Sequence, residues 1–541
     1  MRADDVAAAL ESAPGVTAAE LAVRLGAESE GQVSFLLYAD HRRFRCEMGP
    51  PPRWSLVLPS GGARRTGAGP PAAPAGQLPL GQDMVGQGRL GLYAWQADAL
   101  AAWARAGRRG VVEAVTGTGK TMVGVAAALG ELARRGQVLV LVPTVELAHQ
   151  WVATLGPRLG PGHRVGRLGA GSTDSLASHD VLVAVVNSAR AVDVRPIRQG
   201  GLLVADECHR YGSAVNRLGL DGRFGHRLGL SATYARGDGG NEAWLDPYFG
   251  GTCFRLGYAR ALADEVTAHF SVALVGVRFS PEEWECYDEL SKVMAQTRAR
   301  LVDQYGLPDE PFEAFLAALG VLADGDGEGA VLARRYRQAM LERRALLADT
   351  PAKDEALVAL APAVAEADRT IVFTQTIPAA ERASAALGGR GLRAGAVHSA
   401  LAGADRRRLL GRFAAGGLDV LVAPRVLDEG VDVPAADLAV IAGASRSRRQ
   451  MIQRMGRVLR RKADGRRARF AILFVEGTVE DPAHGAHEAF LDEIVGVADD
   501  VSCFRAGAVT ADPDGPRRAL RPSWPAAGTV SPRMAGSATA T

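Results

Sequence analysis

The segment Ala114-Val115-Thr116-Gly117-Thr118-Gly119-Lys120-Thr121 sets a glycine-rich turn, an ammonium and a hydroxyl in the order that a nucleotide's phosphates require. Glycine lets backbone N–H groups come close to phosphate oxygens, so Thr116, Gly117, Thr118 and Gly119 read as the cradle. Lys120 can reach the β and γ oxygens, and the Thr121 hydroxyl can ligate Mg²⁺. The chain has only four lysines (Lys120, Lys292, Lys353 and Lys462) among 63 basic residues, so a lysine at this position stands out. One departure is Ala114, where the strict pattern begins with glycine. Taken alone, the loop indicates nucleoside triphosphate binding and nothing narrower.

Further along, an apolar run ends in Asp206-Glu207-Cys208-His209. Phosphate-ester hydrolysis needs one carboxylate to hold Mg²⁺ and another to orient or deprotonate the attacking water, and Asp206 and Glu207 fit those roles. Cys208 and His209 lack a second Cys or His pair at ligand spacing, which argues against a zinc site. Ser231-Ala232-Thr233 follows the next apolar run, and Gln453-Arg454-Met455-Gly456-Arg457-Val458-Leu459-Arg460 lies far downstream.

These motifs need elements to position them. From Leu90 to Leu274, short β-branched and Leu runs alternate with amphipathic stretches. Val111–Val115, Val138–Val142, Val181–Val186, Leu202–Ala205 and Leu228–Leu230 are expected as buried parallel strands, with the motifs at their C-terminal ends. Residues 275–350 lose that alternation and read as long helices, with Tyr287, Leu290, Val293 and Met294 as a packed face. The alternation returns over 351–480, with strands expected at Ile371–Phe373, Leu418–Val422, Leu438–Ile441 and Phe470–Phe474. The fold class is therefore α/β, with two tandem parallel-sheet domains (90–274 and 351–480) around a helical insertion. Ahead of them, 1–58 reads as three short helices and two strands in winged-helix order, and Pro59–Arg89 as a Gly/Pro/Ala linker. A helical extension is expected over 481–504 and a disordered tail over 505–541.

At 541 residues the chain can hold several cores, and its formal charge of +3 requires any polyanion site to be a local patch. Arg446–Arg469 is the most basic stretch, some of its arginines expected to face ATP and the rest either a polyanion or only solvent. Five scattered cysteines support neither a disulfide framework nor a zinc ribbon. With no apolar run of signal or membrane-spanning length, a cytoplasmic protein without a membrane partner is expected.

Together, the phosphate loop, Asp206-Glu207-Cys208-His209, Ser231-Ala232-Thr233 and Gln453–Arg460 resemble the superfamily 2 helicases. Val426-Leu427-Asp428-Glu429-Gly430-Val431-Asp432-Val433-Pro434 followed by Ile452–Arg460 is similar to the XPB group, and the resemblance covers Leu90–Val479. It implies two RecA-like domains sharing one ATP site and a helical thumb between them. Lys120 and Thr121 would hold phosphates and Mg²⁺, Asp206 the metal and Glu207 the water. Gln453 would approach the γ-phosphate, with Arg457 and Arg460 as arginine fingers. Gly430 and Asp432 would line the nucleotide, and Gln96 would read adenine. Ser231, Ala232 and Thr233 would couple hydrolysis to motion, while Thr144, Asn187, Thr374 and Gln375 would grip a nucleic-acid backbone.

The resemblance further implies an ATP-dependent 3′ to 5′ motor in DNA repair or defence. DNA is favoured over RNA because Asp-Glu-Cys-His and Gln-Arg differ from the DEAD-box pattern. The alternatives are an RNA helicase, a motor subunit of a restriction or defence complex, and an ATP-gated DNA-binding scaffold, with a nuclease or repair protein as the partner expected of such a motor. Two positions depart from the group: Arg236-Gly237-Asp238 stands where Arg-Glu-Asp is usual, and Pro424 where Thr or Ser is usual.

Overall fold

Continuous apolar runs bury both faces, and here they become parallel strands. The computed structural model describes residues 3–12, 16–26, 33, 37, 44–47, 53–56, 90–160, 162–194, 196, 201–236, 239–310, 312–424, 436–443, 456, 458–462, 464–484, 497–506, 512 and 514–523. Two compact units arise: Met1–Asp264 with Tyr287–Arg343, and Glu265–Cys286 with Arg344–Leu427 and Val433–Thr541.

The N-terminal region has α1 (Ala3–Ser12), α2 (Ala18–Leu25) and an antiparallel hairpin of β1 (Phe44–Glu47) and β2 (Arg53–Leu56). Thr17 and Glu20 form a reciprocal capping box that starts α2. Val6, Leu10, Leu21, Val33 and Leu37 are buried. Apart from Val33 and Leu37, the third expected helix lies outside the described residues, as does the 59–89 linker.

The first large sheet is built from β3 (Arg109–Ala114), β4 (Gln137–Val142), β5 (Val165–Gly169), β6 (Ser172–Thr173), β7 (Val181–Val185), β8 (Gly201–Asp206), β9 (His226–Ser231) and β10 (Thr252–Leu256). Their order is β10-β3-β9-β8-β4-β7-β5-β6. All pairs are parallel except β5–β6. Helices α3 (Ala94–Arg105), α4 (Lys120–Ala133) and α5 (Val145–Leu155) belong to the same unit. The order makes β3, β9 and β8 neighbours, so the phosphate loop, Ser231-Ala232-Thr233 and the acid pair leave the sheet side by side. That is the arrangement in which open parallel sheets bind ligands.

Helices α6 (Pro281–Tyr305), α7 (Phe312–Ala323) and α8 (Glu328–Asp349) follow. They enclose a core of their own around Met294, Leu301, Phe315, Leu319 and Tyr336. Tyr287 and Met294 of the expected stripe are buried, and Leu290 and Val293 pack partly buried against that core.

The second sheet contains β11 (Phe270–Val277), β12 (Thr370–Thr374), β13 (Ala394–Ala396), β14 (Val420–Pro424), β15 (Leu438–Ile441), β16 (Ala468–Val475) and β17 (Asp500–Phe504), in the order β13-β14-β12-β15-β16-β11-β17. Every pair is parallel. Helices α9 (Pro351–Ala359), α10 (Ile377–Gly388), α11 (Gly403–Ala414) and α12 (Gly515–Ala519) belong to this unit.

The sequence-based boundaries shift in three places. The expected division at 274 falls inside β11, which pairs with β16 along its whole length and so belongs to the second sheet. Within 481–504, the described residues form a short 3₁₀ turn (Pro482–His484) and strand β17, and the stretch between them that was expected to be helical lies outside the described residues. Within 505–541, α12 is ordered, and Leu520 is 1% exposed in the second core. Its apolar contacts outweigh the Pro-, Gly- and Ala-rich composition that suggested disorder.

Candidate nucleotide site

β3 ends at Ala114 and α4 begins at Lys120. In the turn between them, Gly117 and Gly119 hold φ of 82° and 85°. Glycine enters that left-handed region without steric cost, and it lines up successive N–H groups as an anion cradle. Thr118, 1% exposed, turns its hydroxyl inward to the Val115 carbonyl at 2.8 Å, so it braces the loop and offers a phosphate only its backbone. Thr116 and Thr121 are partly exposed.

Lys120 Nζ donates to Ala114 O at 2.8 Å and Val115 O at 3.4 Å. Burial lowers its pKa below the ordinary lysine value, while the charges of Glu207, Asp206 and Glu113 act in the opposite direction. Those four groups are therefore close enough to feel one another. Gln96, 2% exposed, accepts from Tyr93 N at 2.9 Å and donates to Gly119 O at 3.0 Å. This amide, expected to read adenine, caps α3 and ties it to the loop.

Asp206 is 6% exposed. Its Oδ2 accepts from the Trp151 indole at 2.7 Å and its Oδ1 from Glu207 N at 3.1 Å. Each carboxylate oxygen has two lone pairs, so capacity remains for a hard cation, and the Thr121 hydroxyl is of the same ligand class. This donor set fits Mg²⁺. Glu207 has φ of 48°, a strained setting for a side chain, of the kind that concentrates at active sites. Its Oε2 lies 3.4 Å from His209 Nδ1.

His209, 2% exposed, places Nδ1 at 3.0 Å from Ser231 Oγ. That hydroxyl donates to Thr233 O at 2.9 Å and accepts from Thr233 N at 3.2 Å. With the Ser231 proton committed, His209 Nδ1 must be the donor. His209 thus stands between Glu207, which it approaches, and Ser231 and Thr233, to which it is hydrogen-bonded through the Ser231 hydroxyl, with Ala232 buried between those two. Cys208 is fully buried, and burial pushes its thiol well above the ordinary range.

Sequence reasoning missed Trp151, Tyr211, whose hydroxyl donates to Asp206 O at 3.0 Å, and the polar role of His209. Only His209 carried a signal, its adjacency to the acid pair. The indole and the phenol come from elements whose approach the fold alone sets.

The expected nucleic-acid contacts divide. Thr144 caps α5, accepting from Leu147 N at 3.3 Å. Asn187 is exposed in a short helical turn (Val186–Ala189), and Gln375 is partly exposed. Thr374 is 3% exposed with its hydroxyl on Thr376 O at 3.3 Å, so it holds the turn into α10.

Gln453, Arg457, Gly430 and Asp432 lie outside the described residues. Arg460 is partly exposed and forms an antiparallel bridge with Thr267, next to the bond from Ala268 N to Leu459 O at 2.8 Å. The basic segment is largely structural where described. Arg469, 0% exposed, pairs with Asp437 at 2.6 Å and donates to Leu520 O at 2.6 Å. Arg466, Arg467 and Arg461 pair with Asp464, Asp499 and Glu265.

Residues 93–237 match the DEAD/DEAH box helicase family, and residues 352–462 match the helicase conserved C-terminal domain. A DNA 3′-5′ translocase XPB2 of Sulfurisphaera tokodaii is 30% identical over 69% of this chain and 80% of its own length. The chain belongs to the XPB-like helicases of superfamily 2. The DNA 3′-5′ helicase XPB of Mycobacterium tuberculosis is 25% identical over 72% of this chain, which spans 61% of that relative's length. Among solved structures, S. cerevisiae Dbp5 bound to RNA and ADP BeF3 shares the fold. It has a TM-score of 0.51 at 14% identity and covers 81% of this chain and 96% of its own. As a family member, the chain carries the ATP-dependent helicase domains. Among the described residues, no helix is long and apolar enough to cross a membrane.

Proposed function

We propose that this XPB-like helicase couples ATP hydrolysis, with Mg²⁺, to 3′ to 5′ movement along DNA. The observation that carries this reading is the delivery of Lys120, Asp206-Glu207 and Ser231–Thr233 from three adjacent strands, with His209 bonded to Ser231 beside Glu207. The names borne by the XPB relatives support DNA as the track and 3′ to 5′ as the direction.

In this reading the glycine turn and Lys120 grip the triphosphate, and Asp206 and Thr121 hold Mg²⁺, which neutralises phosphate charge when bound. Glu207 orients the water and accepts its proton. The resemblance to the family assigns Gln453, Arg457 and Arg460 to the charge that develops on the γ-phosphate. Asn187, Gln375 and the backbone around Thr144 are the proposed nucleic-acid contacts, which suit phosphate oxygens and so a sequence-independent grip.

The test is ATP turnover by the purified chain with and without single-stranded DNA. DNA should stimulate it, and single-stranded RNA should compete poorly. Lys120→Ala should abolish nucleotide binding or turnover. Glu207→Gln should retain ATP while lowering kcat about 10²- to 10⁴-fold. Strand displacement on 3′- and 5′-tailed duplexes, run beside streptavidin displacement, separates unwinding from tracking. An ATPase indifferent to DNA would sink the proposal.

A further inference from the structure

The hydrogen bond from Trp151 to Asp206 has no counterpart in the sequence motifs. Trp151 is 1% exposed and belongs to α5, the helix whose first turn is capped by Thr144. Its indole N–H donates to Asp206 Oδ2 at 2.7 Å within the buried interior. The far edge of the same ring lies against α4: a Cβ at Gly124 would stand 2.5 Å from Trp151 Cη2 and 3.1 Å from Val204 Cγ1. One rigid bicyclic side chain thus touches the helix that opens with Lys120 and Thr121, packs beside β8, and bonds the carboxylate at the end of that strand. Gly124 is the glycine that lets the ring in.

Indole is a donor only. A buried indole N–H aimed at a carboxylate therefore engages one oxygen and fixes the rotamer, as an outer partner does for a metal ligand. Glu207 N holds the other oxygen. Asp206 is thereby gripped from both sides, once by its own strand end and once by α5.

We propose that Trp151 is a positioning residue for the ATPase reaction: it orients Asp206 toward the divalent cation and ties that carboxylate mechanically to the Pro143–Leu147 turn at the head of α5. This deepens the proposed function and rests on it for the identity of the reaction. In α5 the ring sits two turns from the cap, so a shift of that turn toward or away from a bound strand moves the indole with it. DNA contact at one end of a single helix thus becomes a change in how the metal carboxylate is held at the other.

The experiment compares the full-length chain with its Trp151→Phe variant, which keeps an aromatic ring and removes the N–H. Mn²⁺ affinity is read by electron paramagnetic resonance in the presence of ADP, and ADP binding is read separately in EDTA. The metal dissociation constant should rise about 10- to 100-fold, the usual cost of losing an outer partner of a metal ligand, while metal-free ADP binding stays within about twofold. If metal affinity is unchanged while thermal stability falls, Trp151 merely packs and the proposal is overturned.

A second measurement covers the case in which the variant does not fold. In the ¹⁵N-tryptophan-labelled natural chain, one indole N–H should resist hydrogen exchange and shift when Mg²⁺ joins ADP, and Asp206→Asn should abolish that shift. No such resonance would equally overturn the proposal. Metal binding and indole signals need no DNA, so an ATPase indifferent to DNA would defeat the functional reading and leave this inference standing on its own readouts.

Discussion

At the scale of single residues, the site is held by side chains whose reactive ends are already committed. Gln96 spends its amide on Tyr93 N and Gly119 O, so its removal should loosen the loop whichever base is bound. Gln96→Ala forfeits a bond of about 0.5–1.5 kcal/mol, or roughly two- to tenfold in affinity. Tripolyphosphate, which has no base, should weaken by that factor in competition against a fluorescent nucleotide. Unchanged tripolyphosphate affinity with weakened ATP would show that Gln96 acts by reading adenine. Lys120, Asp206 and Glu207 were legible in sequence because their chemistry dictates both residue type and position. Trp151 and Tyr211 were not, since each is an ordinary core aromatic until the fold brings its one polar atom to Asp206.

Elements were legible where burial on both faces left a continuous apolar run. β4, β7, β8 and β15 fall within a residue of expectation and are buried throughout. β10 and β17 were missed because they are edge strands with mixed burial and no such run, and β11 was missed although it is an interior apolar strand, because it lies across the expected division at 274. The basic stretch entering β16 misled in another way, since an arginine count cannot separate a polyanion face from a buried pair. Arg469 and Asp437 are 0% and 1% exposed. Asp437→Ala, which strands a buried guanidinium, should destabilise by about 3–5 kcal/mol in denaturant unfolding, and Arg469→Met with Asp437→Leu should lose less.

Lys462 lies beside that pair and donates to Val458 O. Burial pushes its pKa down to about 8, with Arg469 and Arg466 adding to the effect and Asp437 and Asp464 opposing it. Between pH 8 and the ordinary lysine value of 10.5, the unfolded chain holds a proton that the folded chain has released, so this group makes stability rise with pH across that window. The melting temperature of the natural chain minus that of Lys462→Met should therefore increase from pH 7.5 to 9.5. A flat difference would contradict the assignment.

For the molecule as a whole, the second unit is discontinuous in sequence, and this governs what can fold. Its sheet needs β11, which precedes the helical insertion, and β17 and α12, which follow the span 351–480. β16 is buried at every position, with β15 on one side and β11 on the other. Removing β11 opens a row of backbone donors and acceptors along a strand with no polar face, and takes away Phe270, Val272, Leu274 and Val275. That is the description of an aggregation-prone edge. Cutting the chain before α12 withdraws Leu520 from the core and the Leu520 carbonyl from buried Arg469. The apolar loss alone is about 2–5 kcal/mol if the site collapses no better than after a leucine truncation, and the orphaned guanidinium adds to it. Both losses are large against the 5–15 kcal/mol that typically holds a domain together. A fragment spanning 351–480 should therefore fail to unfold cooperatively in urea. The full chain ended at 511 should lose the stability of the second unit while ADP binding, which depends on Lys120 in the first unit, persists. If the 351–480 fragment instead gave a single sharp transition, β11 would be an accessory strand and the second unit would end where the sequence alone had placed it.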